Sequence, residues 1–323
     1  SEIGKNKYVD SSLRTITEEG LNNSSAKLLP PNTILLSSRA TIGECSLSLR
    51  ECATNQGFQS LVSKKCYVDF LYYLIQTKKR DLIRKSCGST FLEISANEVR
   101  KIQVSVPTDV EQQKIAGLLS LIDERIATQN KIIEDLKKLK SAIRKKMFSL
   151  LKDEYTESFE INQLLDYEQP TAYIVANDEY STDTSLTPVL TANKGFILGY
   201  TDEKFGIYQK GECIIFDDFT MDAKYVSFPF KVKSSAIKIL TAKPNVNLRF
   251  MFEYLSYWEL KSEEHKRHYI SEIASLVIEL PSKERQSIIA SLMTSLNSKL
   301  DIEAKTKIRY EEQKRYLLSQ MFI

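Results

Sequence analysis

The sequence predicts an α+β protein in which two mixed α/β domains alternate with two long helices that pair as an antiparallel coiled coil. Three observations carry this reading. The stretch from Pro107 to Ser149 repeats from Pro281 to Ile323 at a constant offset of 174 residues, without a gap. Each copy carries one narrow apolar stripe at three- and four-residue steps, the period of a helix. The segments ahead of each copy mix short apolar runs with brief helical stretches, as a mixed domain requires.

The repeat sets the organisation, and for that reason it comes first. Identical residues stand at Pro107/Pro281, Gln112/Gln286, Ile115/Ile289, Ala116/Ala290, Leu118/Leu292, Lys131/Lys305, Lys140/Lys314, Met147/Met321 and Phe148/Phe322. The first stripe runs Ile115, Leu118, Ile122, Ile126, Ile133, Leu136, Leu139, Ile143 and Met147. The second runs Ile289, Leu292, Leu296, Leu300, Tyr310, Leu317 and Met321, with a polar interruption from Glu303 to Lys307. Proline opens each copy, where its fixed φ and missing N–H suit a helix start. At ~1.5 Å per residue each helix reaches roughly 57 Å. A helix so long with a single stripe needs a partner, and its own copy is the nearest one.

The segments before the helices correspond more faintly. Pro31 to Ser37 falls on Lys210 to Phe216 at an offset of 179, and Asn55 to Phe58 falls on Ser234 to Ile237. Helices are expected at Phe70 to Thr77 and Phe250 to Trp258, and short strands at Ile102 to Val106 and Leu276 to Leu280. The plan is a first domain over 1–107, a long helix over 108–151, a second domain over 152–281 and a long helix over 282–323. Lys152 to Ser158 reads as a polar linker. The chain opens on Ser1, with less sequence ahead of its first strand than the second copy has, so the first domain is expected to be incomplete at its start.

Composition narrows the function classes. The chain is 42% hydrophobic, enough for more than one core, and no apolar run approaches the ~20 residues of a membrane span, so a soluble, cytoplasmic protein is expected. Five cysteines without a Cys-x-x-Cys pair suggest neither a disulfide framework nor a zinc ribbon. The net charge of +3 hides local basic clusters at Lys78, Lys79, Arg80, Arg84 and Lys85, and at His265, Lys266, Arg267 and His268. Pro-Pro occurs at Leu29-Pro30-Pro31-Asn32, the wrong order for an adenine-methyltransferase loop, and there is no phosphate-binding Gly-x-x-x-x-Gly-Lys-Ser/Thr. Only His265 and His268 could serve a metal site or a triad. No catalytic residue, metal ligand or cofactor is expected.

The doubled arrangement, with Pro107-Thr-Asp-Val-Glu-Gln-Gln-Lys-Ile-Ala-Gly-Leu matched by Pro281-Ser-Lys-Glu-Arg-Gln-Ser-Ile-Ile-Ala-Ser-Leu, resembles the specificity subunits of Type I restriction-modification systems. Ile16 to Leu21, Leu29 to Leu36 and Arg39 to Gly43 look like that family's first domain. Gln169 to Val175, Thr187 to Ala192, Asp217 to Thr220 and Phe228 to Ala236 are similar to one of its recognition-domain types. The resemblance covers essentially the whole chain. It implies two target-recognition domains that each read half of a bipartite double-stranded DNA site, with the helices as the ruler between halves. It also implies docking of two methylation subunits, and restriction subunits beyond them, with S-adenosylmethionine and ATP carried on those partners only. Ile115, Leu118, Ile122, Ile289, Leu292 and Leu296 are the candidate docking residues.

Candidate DNA contacts follow from residue chemistry. Asp217 and Asp218, after a buried strand, either accept from cytosine N4 in the major groove or build a turn. Arg39, between a strand and a glycine turn, faces guanine, phosphate or a surface ion pair. Asn55, Gln56, Ser89, Thr90 and Ser234 suit groove contacts or turn chemistry. His265, Lys266, Arg267 and His268 read as phosphate contacts or a solvated face. Thr41, Thr191, Lys194, Thr220, Lys224 and Lys233 complete the set. The competing reading is a coiled-coil interaction scaffold that binds protein and not DNA.

Overall fold

Ile34–Ser37 is apolar up to its last residue and folds as the buried strand that this composition demands. In the computed structural model, which describes residues 2–88, 92–151, 156–192, 195–258 and 272–322, it lies inside a four-stranded sheet. The order is β1 (Tyr8–Val9), β3 (Cys45–Ser48), β2 (Ile34–Ser37), β4 (Phe58–Leu61). β2 is antiparallel to both neighbours, and β1 is parallel to β3. The β2–β3 turn closes on Gly43 at φ +90°, where a Cβ would stand 2.9 Å from Cγ of Lys79, so only glycine fits there.

After α1 (Glu18–Asn22), the helices α2 (Val68–Thr77), α3 (Lys79–Arg84) and α4 (Ala96–Arg100) follow the sheet. Phe70, Tyr73 and Leu74 of α2 join Ile34, Leu36, Leu47, Leu82 and Ile94 in one core, together with Ala116 and Leu119 of the long helix α5 (Asp109–Leu150). Each large apolar side chain buried in this way contributes about 1.5–3 kcal/mol. Thr108 and Glu111 cap the start of α5 reciprocally, the Glu111 carboxylate accepting from the Thr108 N–H and the Thr108 hydroxyl from the Glu111 N–H.

The second half of the chain is richer in strands. It comprises β5 (Glu157–Glu160), α6 (Ile161–Leu164), β6 (Leu165–Glu168), β7 (Thr187–Leu190), β8 (Ile197–Thr201), β9 (Cys213–Asp217), β10 (Ala223–Val226), β11 (Lys231–Val232), β12 (Ile237–Ala242), α7 (Leu248–Tyr257), β13 (Val277–Leu280) and the long helix α8 (Lys283–Met321). Three sheets result, of order β10-β9-β12-β6, β11-β7-β8 and β13-β5. One core gathers Phe148, Ile161, Leu164, Ile214, Phe216, Phe250, Met251, Ile278, Ile289 and Met293, and another gathers Tyr208, Cys213, Ile215, Phe230 and Val232. Burial pushes the Cys213 thiol up to about 12, so it is a packing group.

The chain divides into two compact units, residues 1–133 with 303–323, and residues 134–302, so each long helix serves both. Within the first unit α5 and α8 run antiparallel. Asp123 pairs with Lys314 at 2.7 Å, the Arg125 guanidinium lies over the Tyr310 ring, and the Gln129 amide donates to the carbonyl and carboxylate of Glu303. Gln129 and Glu303 are repeat mates at the offset of 174, as an isologous antiparallel helix pair requires. The expected mixed architecture with paired long helices is the one observed.

Two local expectations need correction. Glu157 and Ser158, read as linker, belong to β5. Ile102 to Val106, read as a strand, has no strand structure, whereas its repeat mate forms β13. A strand exists through its ladder, and β13 has β5 as its partner. The offset that relates the copies places the counterpart of β5 ahead of residue 1.

The glutamine of the repeated Pro-x-x-x-x-Gln motif performs the same task twice. Gln112 is 2% exposed. Its amide donates to the Pro107 carbonyl at 2.9 Å and its carbonyl accepts from the N–H of Tyr67, the N-cap of α2, at 2.8 Å. Gln286, 1% exposed, donates to the Pro281 carbonyl and accepts from the N–H of Asn247, the N-cap of α7, both at 2.9 Å. Each glutamine thus ties the start of a long helix to the start of its domain helix and satisfies two backbone groups that helix ends leave open. Replacing Gln112 or Gln286 with Leu, which fills the space but strands both groups, is expected to cost about 2–3 kcal/mol in urea unfolding.

One turn further along, both units hold a buried charge, built oppositely. In the second unit Glu253 of α7 accepts two bonds from Arg144 (2.6 and 2.9 Å) and one from Asn297 (3.3 Å), with Lys140 at 3.7 Å. In the first unit the acid is Asp123 of the long helix. It accepts from Tyr73 of α2 at 2.7 Å and pairs with Lys314. Asp123/Asn297 and Lys140/Lys314 are repeat mates, so the lysine stays while the carboxylate changes helix. Tyr73→Glu should therefore set two carboxylates together and destabilise the first unit by roughly 3 kcal/mol in thermal unfolding. Adding Asp123→Asn, which copies the second unit, should recover most of that loss.

Candidate nucleic-acid interface

The offset of 179 between the sheets brings two loops into the same relation in both units. In the first, the hairpin turn after β2 is pinned to the loop before β4 by Ser38 N–H to Gly57 carbonyl at 2.9 Å. In the second, the turn after β9 is pinned to the loop before β12 by Asp218 N–H to Ala236 carbonyl at 2.9 Å. A backbone bond across the two loops makes each pair one platform. Each hairpin turn also carries a non-glycine residue in the left-handed region, Ala40 at φ +53° and Met221 at φ +57°, which cross-loop bonding must hold in place.

The first platform collects four sequence candidates. Arg39 pairs with Glu93 at 3.0 Å, with both side chains about two-fifths exposed. Such a pair contributes at most about 1 kcal/mol, so its guanidinium can exchange partners. Thr41, Asn55 and Gln56 are exposed. The Asn55 carbonyl accepts from the Gly57 N–H at 2.8 Å, the turn role open to it from the start. Ser89 and Thr90 lie outside the described residues.

On the second platform Thr220, Lys233 and Ser234 are exposed, and Lys224 is half-buried on β10. Asp217 and Asp218 are inside. The Asp217 carboxylate accepts from the N–H groups of Phe219 and Thr220, both at 2.9 Å, and closes the turn. Asp218 pairs with Lys238 at 3.4 Å, each 1% exposed. Of the two roles open to this acidic pair, the structure places them in the turn-building one. Thr191 is buried, its N–H bonded to the Phe196 carbonyl. Lys194, His265, Lys266, Arg267 and His268 lie outside the described residues.

Sequence reasoning missed the best-presented aromatic. Phe205 is 88% exposed, yet its backbone is fixed. Lys231, 4% exposed at its side chain, donates to the Phe205 carbonyl at 2.8 Å and pairs with Glu203 at 2.7 Å. Glu203 also accepts from the Ala176 N–H. Gly206, at φ +61°, sits where a Cβ would strike the Ala172 carbonyl at 2.4 Å. The bond from Lys231 holds the Glu203 carboxyl below its usual range, so this tether is present above the ordinary glutamate pKa and is lost only as pH falls through the lowered value. The signal in the sequence was an apolar residue between Lys204 and Gly206, where a turn alone needs none.

Of the docking candidates, Ile122 and Ile289 are buried in the cores of their own units, and Ile115 and Leu296 pack against those cores. Leu118 and Leu292, which are repeat mates, are about two-fifths exposed. Among the described residues no cluster of three His, Cys, Asp or Glu could hold a metal ion, and no helix is long and apolar enough to cross a membrane. Asp218→Asn should lower stability by about 3 kcal/mol through the charge it leaves on buried Lys238, whereas Thr220→Ala should stay within about 0.5 kcal/mol, both read by thermal unfolding.

Comparison with known proteins adds a family and a fold. The family described as Type I restriction modification DNA specificity domain matches residues 1–138 and again 154–312. The chain is 39% identical over 178 residues to the specificity subunit of the Type I restriction enzyme EcoR124I/EcoR124II of Escherichia coli, a stretch covering 49% of this chain and 43% of that protein. It is 36% identical over 171 residues to the MjaIX specificity subunit of Methanocaldococcus jannaschii, covering 52% and 40%. The matched stretches thus span about two-fifths of these curated relatives. The crystal structure of a Type I restriction-modification S subunit from M. genitalium shares the fold, with a TM-score of 0.66, 17% identity, and 99% of this chain and 89% of that one covered.

Proposed function

The chain belongs to the family of Type I restriction modification DNA specificity domains, and from that premise we propose that it is the non-catalytic, sequence-reading subunit of such an assembly. One observation carries the reading. The same bonded loop pair recurs in both units, but the side chains it presents differ: Arg39, Thr41, Asn55 and Gln56 on one, Thr220, Lys233 and Ser234 on the other. A constant frame with changed surface chemistry is what two different half-sites of one duplex call for. In this reading each target-recognition domain reads one half-site of double-stranded DNA and the long helices set the gap. Arg39 and Lys233 supply phosphate or guanine contacts, and the amide and hydroxyl groups supply groove contacts.

Two methylation subunits dock on the repeated helices through Leu118 and Leu292, restriction subunits join through them, and S-adenosylmethionine and ATP stay on those partners. The assembly works in the cytoplasm. Phe205, presented on a fixed backbone beside the second platform, packs against sugar or base in this arrangement.

Selection from a randomised duplex pool by the chain with its methylation partner should enrich a two-part motif with a constant gap, bound more weakly as salt rises. Arg39→Ala should relax the half-site read by the first unit at a cost of about 1–3 kcal/mol and leave the other half-site intact. Inserting one helical turn between Leu136 and Ala142 should lengthen the gap alone. An unstructured pool with no salt slope would instead establish a protein-binding scaffold.

A further inference from the structure

The repeat allows each edge of the first unit to be compared with its counterpart in the second. β12 of the second unit is paired on both sides, with β9 on one and β6 on the other. Its counterpart β4 is an edge strand. β13 is paired with β5, and its counterpart Gln103 to Val106 pairs with no strand among the described residues. Both partners in the second unit belong to one contiguous strand–turn–strand segment, Glu157 to Glu168. Its Ile161, Leu164 and Leu165 are buried, and its Phe159 and Tyr167 pack against the same core.

Exposure follows the pairing. Ile278 on β13 is 1% exposed, and its mate Val104 is 39% exposed. Val106 and Val62, on the two unpaired stretches of the first unit, are each about half exposed. Open strand edges flanked by exposed apolar side chains are the template on which another strand adds. A third correspondence concerns charge. Lys243 reaches the segment in the second unit, donating to the Asn162 carbonyl at 2.7 Å and standing 3.8 Å from Asp166. At the offset of 179 its mate is Lys64, which is exposed.

We propose that the first unit is a docking seat for a polypeptide segment supplied in trans, which adds one strand to the outer edge of β4 at Ser60–Ser63 and another to Gln103–Val106. The seat selects a segment with large apolar residues where Phe159, Ile161, Leu164, Leu165 and Tyr167 stand in the second unit, and with an acidic residue at the position of Asp166, facing Lys64. A second copy of the chain cannot readily supply it, because its own Glu157–Glu168 is already laddered on β12 and β13. The proposal stands on the two edges and does not rest on DNA reading.

Hydrogen exchange of the full chain, followed by mass spectrometry with and without a synthetic peptide of residues 157–168, tests it. The peptide should slow exchange at residues 60–63 and 103–106 together, by roughly tenfold or more at saturation. Lys64→Glu should weaken this protection, and a peptide carrying Ile161→Asp and Leu165→Asp should give none. No change at either segment would overturn the proposal. So would protection confined to residues 239–242 and 277–280, meaning strand exchange in the second unit. Protection that rises with protein concentration without peptide would hand the seat to a second copy and overturn it too.

Discussion

The fold turns on a hydrogen bond made twice by a buried amide. Gln112 and Gln286 each clasp a proline carbonyl at the start of a long helix and the N-cap N–H of the domain helix beside it. A helix start leaves donors unanswered, and a buried start cannot turn to water for them. Glutamine is long enough to span the junction and carries both a donor and an acceptor. Its position five residues after the proline therefore follows from geometry, and the same clasp fixes how each domain helix meets its long helix.

What surrounds the clasp is adjustable. The carboxylate beside it lies on the domain helix in one unit, as Glu253, and on the long helix in the other, as Asp123, with a lysine common to both. Either placement satisfies the lysine, but mixing them leaves two acids or none. Each domain surface is thereby matched to its own stretch of helix, in a contact whose apolar part is nearly the same in both copies. The loop platforms show the same division, with a backbone bond kept and side chains changed.

The burial pattern reassigns several polar residues. Asp217, Asp218, Lys231 and Lys238 have the charges expected of groove contacts, yet they build and hold the loops that present Thr220, Ser234 and Phe205. A charge removed from water needs a partner in the protein, so such residues brace the surface and leave its contacts to neighbours that stay wet.

Much was legible from sequence because it rests on periodicity. The repeat, the two long helices, their antiparallel pairing, the strands at Ile34–Ser37 and Cys213–Asp217 and the two domain helices all follow from spacing, which is a local property. Ile102 to Val106 was misread for the opposite reason, since a strand depends on a distant partner and its own residues do not reveal whether that partner is there. The candidate site divides in the same way. Sequence by itself determined which loops carry short polar residues and which family motif is doubled. Only tertiary structure decided that Asp218 faces Lys238 inside the fold, that Phe205 faces solvent on a fixed backbone, and that the edges of the first unit are open, because burial and pairing are set by residues far apart in the chain.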